Sequence, residues 1–305
     1  MDPINQTNLF GLRKYFDNFK FLYDNNKLPN KILLSGPKGS GKSTLALHLI
    51  NYALSKNDQY PYDYENLSIN ENNRSFKLVK NSSSPNFYLV DIKKDKNNID
   101  INQIRELINF CNKSSLNDKP RFILIDNIDL MNLNSSNALL RTLEEPNDNI
   151  YFILINSSSK ILSTIKSRCL NFKINLSYNE YEDNFNKITK TNVKDLIHKN
   201  LISHYLTTGD LFALYNFSIE NDISLQNITL KEFLLKIIDG KYYKKDTLNL
   251  SLIFIFIQMY FLNNYKKNNN FDYYSNMVEL IKNTQKFNLD MESLFIQLKY
   301  QLRND

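Results

Sequence analysis

The octet Gly36-Pro37-Lys38-Gly39-Ser40-Gly41-Lys42-Ser43 constrains this chain more than any other stretch. It satisfies G-x-x-x-x-G-K-[ST], with a strand pattern before it and a helix pattern after it. Glycines let the backbone turn tightly enough to aim several N–H groups at one phosphate, and the following helix adds the positive end of its dipole. In that setting Lys42 reaches phosphate oxygens as a point charge, and the Ser43 hydroxyl is placed to ligate magnesium. A Gly/Ser turn that binds nothing would leave the Lys-Ser pair unexplained. The candidate nucleotide-binding residues are therefore Gly36, Pro37, Lys38, Gly39, Ser40, Gly41, Lys42, Ser43 and Thr44. The expected cofactor is ATP or ADP with Mg2+.

A second element answers the first. Pro120-Arg121-Phe122-Ile123-Leu124-Ile125-Asp126 is a continuous apolar run ending in a carboxylate, the pattern of a strand buried on both faces. Its acid falls at the carboxyl edge of the sheet, where open α/β folds bind ligands. Asp126 is therefore expected to hold magnesium together with Ser43, and the strand at 151–156 brings Asn156 to the same edge. Helical spacing is found at residues 8–29, with Leu9, Leu12, Phe16, Phe19 and Leu22 ahead of Pro29. It recurs at 101–111, with Ile101, Ile104, Leu107 and Ile108 on one face, and at 134–145, closed by Pro146. Strand and helix alternate, which predicts a doubly wound parallel α/β sheet. The Asn-, Lys-, Ser- and Tyr-rich segment 55–100 is read as a surface insertion with one strand at 87–92.

Beyond a short strand at 172–174 the pattern is helical to the end. Helices are expected at 178–189, 193–206 and 209–217, then at 230–238, 248–264, 273–283 and 289–303, with a loop at 266–270. The run with Ile253, Phe254, Ile257 and Phe261 is more apolar than a small terminal domain needs for its own core, and predicts an assembly surface. The longest apolar stretch, 250–262, is interrupted by Ser251 and Gln258 and is too short to cross a bilayer. No signal-peptide layout opens the chain. Cys111 and Cys169 are the only two cysteines in 305 residues, which supports neither a disulfide framework nor a zinc site and suggests a cytoplasmic protein. The net charge of +6 is compatible with work near nucleic acid, but Lys, Asn, Ile, Tyr and Phe share A/T-rich codons and genome composition explains it equally well. His48, His198 and His204 have no partner at catalytic or ligand spacing and are read as structural.

Asn137-Ala138-Leu139-Leu140-Arg141-Thr142-Leu143-Glu144-Glu145-Pro146, followed by Ser167-Arg168-Cys169, together with Leu28-Pro29 and the loop at 36–43, resembles the clamp-loader branch of the AAA+ ATPases. The likeness covers residues 8–175 by motif and the remainder by architecture. It implies an AAA+ P-loop parallel sheet sandwiched by helices over residues 1–175, a small helical lid over 176–217, and an all-α C-terminal collar over 218–305 that joins subunits in a ring. Implied partners are gamma/tau-type ATPase and delta-type subunits and, through the complex, the sliding clamp and primer-template DNA. In this family the SRC arginine faces the nucleotide of a neighbouring subunit, so Arg168 is expected to act catalytically in trans. Taken alone, Arg168 would be read as a helix cap or the partner of a local carboxylate.

Two departures from the family pattern bear on activity. The family's ATPase subunits carry Asp-Glu at the end of the Asp126 strand, and a zinc module after the phosphate loop. Here the dipeptide is Asp126-Asn127 and the zinc module is absent. An amide cannot accept a proton from the attacking water, so hydrolysis by this chain should be weak or absent. Asp129 lies beyond the strand end and is expected to point elsewhere. The expected lid also lacks the family's sensor arginine at 209–214. The resemblance thus implies a largely non-hydrolysing stator of the bacterial DNA polymerase III holoenzyme. The alternatives are an active gamma-type ATPase or another AAA+ enzyme, and a nucleotide-binding scaffold outside replication.

Overall fold

The computed structural model describes residues 2–304 except 94–95, 115, 146–148, 159–160, 245–247, 249, 269–270 and 288. The chain divides into two compact units, residues 1–184 and 185–305.

In the first unit, α1 (Arg13–Asp24) begins later than the apolar spacing from residue 8 suggests. Gly11 takes φ +66°, and a Cβ there would lie 2.1 Å from Asn184 Oδ1. That left-handed turn ends helical continuity, so Leu9 and Leu12 are buried ahead of the helix rather than on it. Next come β1 (Lys31–Ser35), α2 (Lys42–Leu54), α3 (Arg74–Lys80), β2 (Phe87–Val90), α4 (Ile101–Asn112) and β3 (Arg121–Ile125). They are followed by α5 (Leu133–Glu144), β4 (Ile150–Asn156), α6 (Ser163–Lys166) and β5 (Leu170–Lys173). Pro146, expected to close α5, lies outside the described residues.

The five strands form one parallel sheet in the order β2-β3-β4-β1-β5, the doubly wound arrangement expected. Alternation along the strands sends side chains to two cores. Ile32, Leu34, Phe122, Leu124, Ile153 and Ile155 meet α1, α2 and α3, while Leu33, Ile123, Ile125, Phe152 and Leu154 meet α4, α5 and α6. Burial on both faces is why these strands read as unbroken apolar runs.

The segment at 55–100 departs from its reading as a surface insertion. Its expected strand is present as β2, but Tyr62, Leu67, Ile69, Phe76 and Val79 are buried in the α1–α3 core. Its polar composition hid this, because the apolar positions are spread singly among Asn, Lys and Ser.

Two buried polar groups tie elements together. Arg121, 8% exposed, donates from Nη1 to the carbonyls of Phe110 (3.0 Å) and Lys113 (2.8 Å), and from Nη2 to that of Cys111 (2.9 Å). It thereby satisfies the end of α4, where helix carbonyls lack intrahelical donors. His48 on α2 is fully buried, with Nε2 3.2 Å from the Gln6 carbonyl and Nδ1 2.9 Å from the Tyr62 hydroxyl. A carbonyl only accepts, so Nε2 carries the proton and Nδ1 accepts from Tyr62. Burial pulls the His48 pKa down from 6.5 to about 4. Between those values the unfolded chain binds a proton that the fold excludes, so this group removes stability as pH falls through the window. The expected loss reaches ~3 kcal/mol near pH 4. Denaturant unfolding of wild type and His48→Gln at pH 7 and pH 4.5 measures it; an equal fall in both proteins would contradict it.

In the chain order α7 (Tyr178–Thr189) contains the division between units, and the second unit continues with α8 (Val193–Leu196), α9 (Thr208–Glu220), α10 (Leu230–Asp239), α11 (Leu250–Asn268), α12 (Phe271–Phe287) and α13 (Met291–Asn304). The helix expected over 193–206 stops at Leu196. The His198 N–H donates to the Leu225 carbonyl, and His198 Nδ1 accepts from the Asn200 N–H, which draws the backbone into a short 3-10 turn at Lys199–Leu201. Residues 266–268, expected in a loop, continue α11.

Ile253, Phe254, Ile257 and Phe261 are all buried inside this unit, in one core shared by α7–α13. They are therefore not the assembly surface that their apolarity suggested. Residues expected in lid and collar share that core: Phe217 meets Phe233 at 6.1 Å and Tyr242 at 5.0 Å, edge to face. Among the described residues no helix is long and apolar enough to cross a membrane.

Candidate functional site

The loop between β1 and α2 has the geometry its glycines permit. Gly36, Gly39 and Gly41 all take positive φ, and a Cβ on Gly36 would lie 2.3 Å from the Ile174 carbonyl oxygen. Only glycine fits there, because the chain leaving β5 crosses directly against the loop. Pro37 and Lys38 are exposed at the tip, whereas Ser40 is buried and Thr44 half-buried in the first turn of α2.

Lys42, the first residue of α2, is 4% exposed. Its Nζ donates to the carbonyls of Gly36 (2.9 Å) and Pro37 (2.6 Å) and lies 3.4 Å from Ser40 Oγ. Burial lowers its pKa to about 8, against the nearby charges of Asp126 and Asp129, which favour the ammonium. The group is therefore cationic at neutral pH, yet no carboxylate among the described residues makes an ion pair with it. A buried ammonium held by carbonyls, with its nearest carboxylates acting only through space, has no anion in direct contact, and a phosphate group at this loop would supply one.

Ser43 Oγ donates to Asp126 Oδ2 at 2.5 Å, joining the loop to the end of β3. Burial raises the Asp126 carboxyl, the Ser43 hydroxyl opposes that rise, and the charge of Asp91 adds to it. One hydroxyl beside one carboxylate is the sparse oxygen donor set that Mg2+ accepts, its remaining positions being taken by water and phosphate oxygens. These residues fit the expected nucleotide and metal.

Asn127, in the left-handed region at φ +55°, donates from its side chain to Asp91 Oδ1 at 2.8 Å, and its backbone N–H donates to Asp126 Oδ1 at 2.8 Å. Its amide is thus committed to Asp91. That acid was missed in the sequence, although a carboxylate directly after an apolar strand is the same signal that marked Asp126. Asp129 accepts a long hydrogen bond from the Ser157 N–H at 3.4 Å, and its charge favours the Lys42 ammonium. Asn156 ends β4 in register with Ser35, hence beside the loop. Its amide donates to the Ser158 carbonyl at 2.6 Å and accepts from the Ser158 N–H at 3.3 Å, so it shapes the turn after the strand.

Arg168 belongs to a separate group. It follows α6, donates from Nη1 to the Thr164 carbonyl at 2.8 Å, and pairs through Nη2 with Glu144 Oε1. This is the local-carboxylate contact that the residue alone would suggest. Among the described residues, no hydrogen bond or ion pair links Arg168 to residues 36–44 or to Asp126. Burial pushes the thiols of Cys111 and Cys169 up to about 11, leaving both protonated and unreactive near neutral pH. No cluster of three metal-ligating side chains occurs among the described residues.

Comparison with known proteins agrees with these motifs. Residues 11–177 match the family model described as DNA polymerase III, delta subunit. The DNA polymerase III subunit delta' of Pseudomonas aeruginosa is 28% identical over 139 residues, covering 45% of this chain and 40% of that protein. The delta' subunit of Bacillus subtilis is 30% identical over 155 residues, 49% of this chain and 44% of that protein. A gamma subunit from Buchnera aphidicola subsp. Schizaphis graminum is 36% identical over 135 residues, 43% of this chain and 37% of that protein. Each alignment thus spans less than half of the relative. Among solved structures, a DNA polymerase III gamma subunit-related protein from Thermotoga maritima aligns with TM-score 0.42 and 16% identity, over 86% of this chain and 76% of that one. With the family model matching more than half of its length and the phosphate-loop sheet in place, the chain belongs to the DNA polymerase III delta-subunit family of AAA+ clamp-loader proteins, close to delta'.

Proposed function

We propose that this chain is a delta-prime-like stator of a bacterial clamp loader: it binds ATP or ADP with Mg2+, hydrolyses it weakly or not at all, and presents Arg168 to the nucleotide of a neighbouring ATPase subunit. The observation that carries the reading is the pairing of an intact Ser43–Asp126 contact with an Asn127 amide given over to Asp91. The parts that hold nucleotide are present, and the position that would accept the water's proton is not a base. Ser43 and Asp126 would hold Mg2+, which when bound would supply positive charge that partly neutralises the phosphates. Lys42 and the loop N–H groups hold the phosphates, and Asp126 orients the Ser43 hydroxyl. The complex would act in the cytoplasm, with gamma/tau-type and delta-type subunits, the sliding clamp and primed DNA as partners. Residues 176–217 serve as lid and 218–305 as collar. With Ile253 and its neighbours buried, the exposed apolar side chains of 218–305, Ile296 and Tyr300 on α13 together with Ile219, Phe287 and Leu289 among the described residues, are the surface available for collar contacts.

A fluorescent-nucleotide titration tests the binding half. Saturable Mg2+-dependent binding is expected, weakened on the order of 10- to 100-fold in Lys42→Ala because a charge-assisted contact is lost, with negligible turnover by the isolated protein. No binding at millimolar nucleotide would refute the cofactor assignment, and brisk turnover would favour a gamma-type ATPase.

A further inference from the structure

The two motifs that mark the family, 137–146 and 167–169, meet in the folded chain at the contact between Glu144 and Arg168. Glu144 is the last residue of α5, and Thr164, which accepts the other hydrogen bond of the guanidinium, lies in α6. Arg168 is thus held from two separate helices. A guanidinium offers five N–H donors, and two are engaged here among the described residues, leaving the others to an incoming anion. The Glu144 carboxylate makes no other hydrogen bond among the described residues, so it has no evident second task.

The side chains are 33% exposed for Arg168 and 53% for Glu144. An exposed pair of this kind adds little stability, because solvent screens it and two long side chains are immobilised. A contact too weak to lock the arginine against a phosphate is still sufficient to select among its many rotamers. We propose that Glu144 is the positioning residue of Arg168: with the Thr164 carbonyl it fixes the guanidinium between the ends of α5 and α6 before a neighbouring subunit docks. This rests on the trans role proposed above for Arg168. The work done by Glu144 is pre-organisation, since an arginine already oriented loses less freedom when it engages developing phosphoryl charge.

The test uses the loader complex reconstituted with its ATPase subunits, sliding clamp and primed DNA, varying only this chain. Glu144→Ala should lower ATP turnover at saturating ATP by about 3- to 5-fold, the most that a contact of ~1 kcal/mol can contribute, while Glu144→Gln, which keeps a neutral acceptor, should remain within about 2-fold of wild type. The KM for ATP should be unchanged in both, because the effect is on the transition state rather than on binding. The double variant Glu144→Ala/Arg168→Ala should be no slower than Arg168→Ala alone. Wild-type turnover in Glu144→Ala alongside a defective Arg168→Ala overturns this proposal and spares the trans role. Losses that multiply in the double variant, or a change confined to KM, overturn it as well. Wild-type turnover in Arg168→Ala removes the trans role and this proposal together.

Discussion

Replacing Arg168 with alanine is expected to lower the DNA-stimulated ATPase of a reconstituted loader by about 10³- to 10⁵-fold at the site this chain abuts, the range found when an arginine finger is removed. The variant itself should fold normally and bind nucleotide as wild type does. Its ion pair with Glu144 is exposed, and such pairs contribute at most ~1 kcal/mol to their own domain. Arg168→Lys should rescue poorly, since an ammonium lacks the planar fork that engages two phosphoryl oxygens. Steady-state ATPase and clamp-loading assays on complexes carrying each variant decide the matter. Clamp loading at the wild-type rate by Arg168→Ala complexes would confine Arg168 to the local contact with Glu144 and Thr164.

The largest effect expected on the chain's own stability comes from Arg121. Its guanidinium is buried and answers three carbonyls at the end of α4, with Phe110 stacked 5.4 Å from its centre. Arg121→Met fills much of the same space and takes the guanidinium from the Cys111 and Lys113 carbonyls, while the Phe110 carbonyl keeps only the Lys113 N–H at 3.3 Å. The cost should be about 3 kcal/mol, or roughly 6–12 °C in the melting temperature of a unit this size. Arg121→Lys should recover part of this, because one ammonium cannot replace a fork that spans the carbonyls of Phe110, Cys111 and Lys113. Thermal unfolding, with hydrogen exchange at the α4 amides, measures both. A loss below about 1 kcal/mol in Arg121→Met would mean that the helix end finds water instead.

Neither arginine announces its role by residue type. Arg121 opens an apolar strand, where a lone charge reads as a solvated strand end; its burial depends on α4 ending opposite β3, a contact between segments distant in sequence. Asp91 was missed for a related reason. The segment that carries it looks like a polar insertion, and only its pairing with β3, Val90 opposite Ile125, puts its carboxylate within reach of Asn127. Ile253 and Phe261 err in the other direction: apolar spacing reports that a face is covered, without reporting by what.

The phosphate loop, the β3 acid and the alternation of strands with helices could be read from the chain itself, because each depends on neighbours within a few residues: a turn that needs glycine, a lysine and hydroxyl at fixed offsets, a strand buried on both faces. Tertiary structure alone decided what those local elements meet. It turned the Asn127 amide to Asp91, brought Asp129 into the field of Lys42, and set Glu144 against Arg168. These are contacts between segments whose separation along the chain carries no information about distance until the sheet order β2-β3-β4-β1-β5 has brought their ends together.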